Sequence, residues 1–214
     1  MEDMFNGATV FNQNISGWNV IKVSPVPPTD FRTGSALFAS NIPPSFRPDP
    51  TITFSIASKT FGDAPFELQP ISATSDSSGA FTFSSNNTAV ADISGNMLVI
   101  KGAGSATITA NQAGTYDFKS GSATTSFTVF QATPTLSNFW IDSLTFGDAP
   151  FDIADPSSDS LGSFTYGVTG NAGVATISGS TVTIVGVGST TITATQAANG
   201  NYTTGNISTT FTVF

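Results

Sequence analysis

The segment Thr60–Phe66, TFGDAPF, returns letter for letter as Thr145–Phe151, 85 positions later. Ile93-Ser94-Gly95 returns as Ile177-Ser178-Gly179, and the ending FTVF at Phe130 returns at Phe214, each 84 positions later. A chain of 214 residues with this offset holds two tandem copies of about 84 residues, separated in places by single-residue indels. The period exceeds the roughly 20 to 50 residues of stacked solenoid repeats, so each copy is expected to enclose a core of its own. The expected division is an N-terminal segment over 1–48, a first module over 49–131 and a second over 132–214.

Within each copy the hydrophobic period is two. In MLVIKGAGSATITA, Leu98 and Ile100 and then Ala106, Ile108 and Ala110 fall at alternate positions, and Val182, Ile184, Ile192 and Ala194 keep that parity in the second copy. The closing strands place Phe127 with Val129, and Phe211 with Val213, on one face and threonines on the other. No run has the 3.6-residue period of an amphipathic helix. About seven short alternating runs per copy, broken by Gly, Asn, Ser or Pro, predict an all-β chain of two tandem Ig-like sandwiches. Phe61, Phe66, Phe81 and Phe83, with Phe146, Phe151, Phe164 and Tyr166, are expected at core and sheet-corner positions. GAGS and GVGS each lie between two strands, whereas a phosphate loop needs a helix N-terminus, so both are expected to be hairpin turns.

Composition narrows function more than fold. The chain has no Cys and no His, which excludes thiol nucleophiles, imidazole bases, Cys/His zinc sites and Ser-His-Asp chemistry. With 6 Lys+Arg against 14 Asp+Glu, a formal charge of −8 disfavours nucleic acid and anionic membranes as partners. No stretch approaches the roughly 18 to 20 apolar residues of a spanning helix, and MEDMFNGATVF lacks the apolar core of a signal peptide. Only 9% of residues are charged while 39% are hydrophobic, which leaves a surface of hydroxyls and amides. Glu67, Asp76, Asp92 and Asp117 are scattered, without the paired geometry a glycosidase needs, so no catalytic residue and no cofactor is expected.

The run TFGDAPF followed by FTFSSNNTAVADISGNMLVIKGAGSATITANQAG resembles bacterial Ig-like modules of the group 2 type. Val90, Ile93, Gly95, Leu98, Ile100, Gly102, Gly104, Ile108 and Gln112 carry the pattern, and the second copy carries it from Val174 through Tyr202. The resemblance covers about residues 50 to 214. It implies a spacer, display or adhesion role of the kind found in bacterial surface proteins, adhesins and phage structural proteins, with no catalytic residues to carry over.

The N-terminal MFNGATVFNQNISGWNV uses another vocabulary and is similar to one unit of a BspA-type leucine-rich repeat through Met4, Phe5, Ala8, Phe11, Asn12, Gln13, Ile15, Trp18 and Val20. After Val23 the chain turns Pro-rich, like the closing unit of such arrays. One repeat cannot bury its own apolar face. Phe5, Phe11 and Trp18 therefore either pack on the first module, dock against another chain, or remain from a longer array, while Phe31, Leu37 and Phe38 offer a local cap as the plainer outcome.

Other candidates have plainer readings beside them. Asp63 and Asp148 in the GDAP turns fit an Asx-type turn better than a Ca²⁺ site, because no dense D-x-D-x-D spacing occurs, and no metal site is assigned. Asn14, Asn86, Asn201 and Asn206 stand in N-x-S/T sequons, which arise often by chance in so polar a chain. Trp140 follows Phe139, so alternation sends one ring inward and the other out, and an outward Trp140 near the module junction is a candidate contact.

The expected role is a non-enzymatic structural and interaction protein. Its docking residues are Phe5, Phe11, Trp18, Phe31 and Trp140, and its partners are other protein chains of a capsid or surface assembly, with host-surface glycans or proteins as a further class. A virion decoration or fibre component is the first expectation, favoured by the absence of a signal peptide and the small docking element. A fragment of a bacterial cell-surface adhesin is the alternative.

Overall fold

A computed structural model describes residues 4–18, 43, 47–70, 72–115 and 117–214. Every regular element among them is a β-strand. The first copy holds β1 (Ile52–Phe54), β2 (Lys59–Thr60), β3 (Phe66–Glu67), β4 (Ala73–Ser75), β5 (Phe81–Ser85), β6 (Ala91–Ser94), β7 (Met97–Ile100), β8 (Gly104–Gln112) and β9 (Gly121–Phe130). The second holds β10 (Leu136–Ser137), β11 (Phe151–Asp152), β12 (Ser157–Ser158), β13 (Phe164–Val168), β14 (Ala175–Ser178), β15 (Thr181–Ile184), β16 (Gly188–Gln196) and β17 (Gly205–Val213). By contacts the chain forms two compact units. One is Met1–Ala57, Ala64–Lys101 and Ser105–Phe127; the other is Ser58–Asp63, Gly102–Gly104 and Thr128–Phe214.

In the first copy a sheet ordered β2-β9-β8-β5 faces one ordered β3-β7-β6, with β1 and β4 forming a short pair. Phe66 of β3 meets Phe127 of β9 at 5.9 Å between ring centres, so the two sheets close on each other through aromatic contact. Leu98 on one sheet and Ile108, Ala110 and Phe127 on the other are fully buried, as their alternate positions require. The second copy repeats this with β13-β16-β17 against β11-β15-β14. Its core joins Val174, Ala175 and Val182 to Ile192, Ala194, Phe211 and Val213. The parallel pairing of β2 with β9 survives in the second copy as a single parallel bridge between Leu144 and Val213. Two facing, mainly antiparallel sheets in each copy are Ig-like sandwiches.

The outward faces of β16 and β17 explain the neutral surface. Ser189, Thr191 and Thr193 hydrogen-bond through their hydroxyls to Thr212, Thr210 and Ser208 at 2.9, 2.8 and 2.7 Å. Such cross-strand hydroxyl pairs hold an exposed sheet face without charge.

Two sequence expectations are corrected. GAGS and GVGS are not hairpin turns: β7 pairs with β3 and β6, whereas β8 pairs with β9 and β5, so GAGS carries the chain from one sheet to the other, and GVGS does the same between β15 and β16. The hairpins lie one step earlier, where Ser94 pairs with Met97 around Gly95-Asn96 and Ser178 with Thr181 around Gly179-Ser180. Gly95 and Gly179 have φ of 62° and 63°, the left-handed region that the first position of such a turn needs. Parity alone cannot separate strands paired side by side from strands facing each other across a core. The second correction is Phe146, which is 58% exposed and not a core residue: it lies opposite Phe214, past the end of β17, where Phe214 is itself 73% exposed.

Candidate functional site

Residues 4–18 form tight turns rather than strands. Gly7 at φ 70° lets the chain reverse, with Ala8 N–H donating to Phe5 O at 3.1 Å and Phe11 N–H to Ala8 O at 3.2 Å. These reversals bring together three of the docking candidates. Phe5 and Phe11 stack at 4.5 Å with 12° between planes, and Trp18 lies 6.2 Å from Phe5. Ile15 is buried, while Trp18 remains 43% exposed. Asn14 Oδ1 accepts from the N–H and hydroxyl of Ser16, which fixes the turn leading to Trp18. Phe31, and the cap expected from Leu37 and Phe38, lie outside the described residues.

Trp140 stands apart from that cluster. Phe139 is 9% exposed and Trp140 68%, so the alternation expected of this pair holds. Trp140 lines a cavity of about 270 Å³ with Ile141, Phe151 and Asp152 within the second unit.

The GDAP carboxylates are engaged locally. Asp63 Oδ2 accepts from Thr60 N–H at 2.9 Å and Asp148 Oδ2 from Thr145 N–H at 2.8 Å, three residues back rather than two residues on. Each therefore caps a reverse turn, closed by its own N–H to Thr60 O or Thr145 O at 3.0 Å, and is not the Asx-type turn expected. Among the described residues no group of three or more acidic side chains gathers as a metal site would require.

Two further concavities were not visible from the sequence, because they arise where sheets meet. On the edge strand β5, Phe81 and Phe83 stack at 6.0 Å and 16°, and Phe54 extends the row at 5.8 Å from Phe83. On β13, Phe164 and Tyr166 stack at 6.4 Å and 18°, and Phe139 lies 6.2 Å from Tyr166. Each outer pair is half-buried and lines a cavity completed by the next hairpin. Gly95 and Asn96 close one of about 290 Å³, and Gly179 and Ser180 close one of about 480 Å³. Gln69 stands at the rim of the first and Asp155 at the rim of the second. The Tyr166 hydroxyl donates to Asp155 Oδ1. Partial burial first, then this hydrogen bond and the carboxylate charge, hold the Tyr166 pKa well above the usual tyrosine value. In the first cavity Asn96 Nδ2 donates to Gln69 O at 2.9 Å, while its buried Oδ1 has no hydrogen-bond partner.

The fold and these surface features define an all-β protein of two Ig-like sandwiches. No family model and no curated protein matches the chain. Among solved structures it is similar to the insect immune protein hemolin, with a TM-score of 0.43 and 14% identity over 86% of this chain and 50% of that one. It is also similar to Drosophila N-cadherin EC1-4, with a TM-score of 0.30 and 14% identity over 78% of this chain and 51% of that one. Mouse protocadherin-24 EC1-3 gives a TM-score of 0.30 and 11% identity over 78% of this chain and 72% of that one. The chain spans about half the length of the hemolin and N-cadherin chains. The likeness is one of β architecture alone.

Proposed function

We propose that this chain is a non-enzymatic structural and interaction protein that displays two Ig-like sandwiches on a particle surface, as a virion decoration or fibre component, and is anchored by its N-terminal segment. The observation that supports this reading is the clustering of Phe5, Phe11 and Trp18 on the turns of residues 4–18. A compact aromatic face with a ring open to solvent is the kind of anchor that buries well against another protein chain. The partner is a protein subunit of the particle. The sandwiches themselves supply a spacer with only 9% charged residues and no His or Cys for catalysis.

A bacterial cell-surface adhesin is the second reading, favoured by the resemblance of both sequence vocabularies to modules of such proteins. One experiment addresses both. The full chain carrying Phe11→Ala and Trp18→Ala should lose attachment to purified particles while keeping the β-sheet circular dichroism of the parent. Recovery of the parent in the cell-envelope fraction and not with particles supports the adhesin reading. Loss of the whole β signal in the double variant would place these rings in a folding core and overturn the anchor.

A further inference from the structure

The paired concavities on β5 and β13 have no place in an anchoring role, yet they recur at matched positions. Phe81 with Phe164, Phe83 with Tyr166, Thr82 with Thr165, Gly95 with Gly179 and Asn96 with Ser180 line the two sites. We propose that each concavity is a subsite for one sugar ring of a neutral glycan, so that the chain carries two equivalent saccharide sites.

The chemistry of the walls carries this assignment. Phe83 packs against both Phe81 and Phe54, and Tyr166 against both Phe164 and Phe139, so the ring face left for the C–H face of a pyranose is that of Phe81 at the first site and of Phe164 at the second, as planar ligands lie on aromatic side chains elsewhere. Beside that ring stand Thr82, Gln69 and Asn96 with the apolar Ile93 at the first site, and Thr165, Asp155 and Ser180 at the second. A sugar ring has the same division between apolar face and hydroxyl edge. The volumes of about 290 and 480 Å³ span the lower end of the range, roughly 300 to 1,000 Å³, in which small-ligand sites fall.

Charge selects among ligands with a flat face. No lysine or arginine lines either cavity among the described residues, Asp155 lines the second, and the chain carries −8 overall. Uronates, sialosides, sulfated sugars and nucleotides are therefore disfavoured. A quaternary ammonium would suit the second site, where Asp155 and two rings converge, but the first presents Gln69 and Asn96 in place of a carboxylate. A neutral polyhydroxylated ring is the ligand class that both rims serve. Where the sites differ, Phe83 against Tyr166 and Asn96 against Ser180, the ring face and the polar rim are retained.

The test is a titration of the uniformly ¹⁵N-labelled full chain with neutral hexasaccharides of glucose, mannose, galactose and N-acetylglucosamine, read by amide chemical shifts. At least one saccharide should shift Thr82, Gly95 and Asn96 together with Thr165, Gly179 and Ser180. The affinity should be weak, as expected for open sites with few polar contacts. Phe81→Leu with Phe164→Leu keeps apolar volume but removes one ring face per site, and should weaken binding at least about tenfold while the melting temperature stays near that of the parent. If the leucine chain fails to fold, Ser180→Trp, placed on a surface turn, should block the second site and spare the first. The Phe11→Ala, Trp18→Ala chain should keep the saccharide shifts, so this proposal and the anchor fail or stand separately. No shift with any of the four saccharides, unaltered binding by the folded leucine chain, or tetramethylammonium shifting Tyr166 and Ser180 where no saccharide does, would each overturn it.

Discussion

Gln112 and Gln196 occupy the same buried position in the two sandwiches and make the same three hydrogen bonds. Gln112 Nε2 donates to the carbonyls of Ser77 and Gly79, both at 2.9 Å, and its Oε1 accepts from Ser75 Oγ at 2.7 Å. Gln196 Nε2 donates to Ser160 O at 3.0 Å and Gly162 O at 2.9 Å, and its Oε1 accepts from Ser158 Oγ at 2.7 Å. Each amide ties the end of a long core strand to the irregular loop that leads into the edge strand bearing the stacked rings.

Removing one of these amides should therefore cost more than a surface hydrogen bond. Gln196→Leu leaves two carbonyls and a hydroxyl without their donor or acceptor in a place closed to water. The expected loss is about 3 kcal/mol, the range set by orphaned buried polar groups. Urea denaturation of the variant should show an earlier midpoint for the transition of the second sandwich. An unchanged midpoint would mean that water reaches the loop and replaces the amide.

The same loops contain glycines that admit no side chain. A Cβ at Gly79 would stand 1.9 Å from Ala113 O, and one at Gly162 would stand 1.9 Å from Ala197 O. Gly162→Ala must push two backbone segments apart and should destabilise by about 3 kcal/mol or more. Gly167 in β13 has nothing within 4 Å of its Cβ direction and no left-handed φ, so Gly167→Ala should be neutral or stabilise by up to about 1 kcal/mol. Thermal melts of the two variants should move in opposite directions, or the second not at all.

Much of this architecture was legible in the sequence, and the reason is parity. Leu98 and Val182, and Ile108 and Ile192, are fully buried because each lies on the inward beat of an alternating strand. Phe127 and Phe211, expected on that beat, fill the core, and Trp140 points out as its position after Phe139 requires. Partnership was not legible. Alternation is identical whether the next strand lies beside or across, which is why GAGS reads as a hairpin and is a crossover. The concavities were hidden for a related reason: Phe81 and Tyr166 look like core residues, and only their place on an edge strand beside an open hairpin turns a core face into a cavity wall. Gln112 and Gln196 read as polar letters at strand ends, with nothing local to indicate that the loop carbonyls of Ser77 and Ser160 surround them.

The Asp63 and Asp148 turns give a test that separates local capping from ion binding. Asp148→Ala removes the acceptor of Thr145 N–H on an exposed turn, and the expected cost is about 1 kcal/mol. Since the carboxylate serves the backbone, millimolar Ca²⁺ should leave the melting temperature of the parent unchanged. A rise with Ca²⁺ that disappears in the variant would assign an ion to the turn instead.

The Tyr166–Asp155 pair makes the second sandwich sensitive to alkali in a defined direction. Because the folded-state pKa of Tyr166 is raised, the folded chain holds the phenolic proton at pH values where an unfolded tyrosine, titrating at about 10, gives it up. Unfolding then releases a proton, so the stabilisation is fully present below about pH 10 and is lost as pH rises beyond it. Tyr166→Phe keeps the ring stacked against Phe164 and Phe139 but has no proton to release. Urea midpoints measured from pH 8 to pH 11 should fall more steeply for the parent than for the variant, with the difference opening only above about pH 10. Parallel curves would mean that the hydroxyl is solvated as in the unfolded chain, and that Asp155 does not hold it.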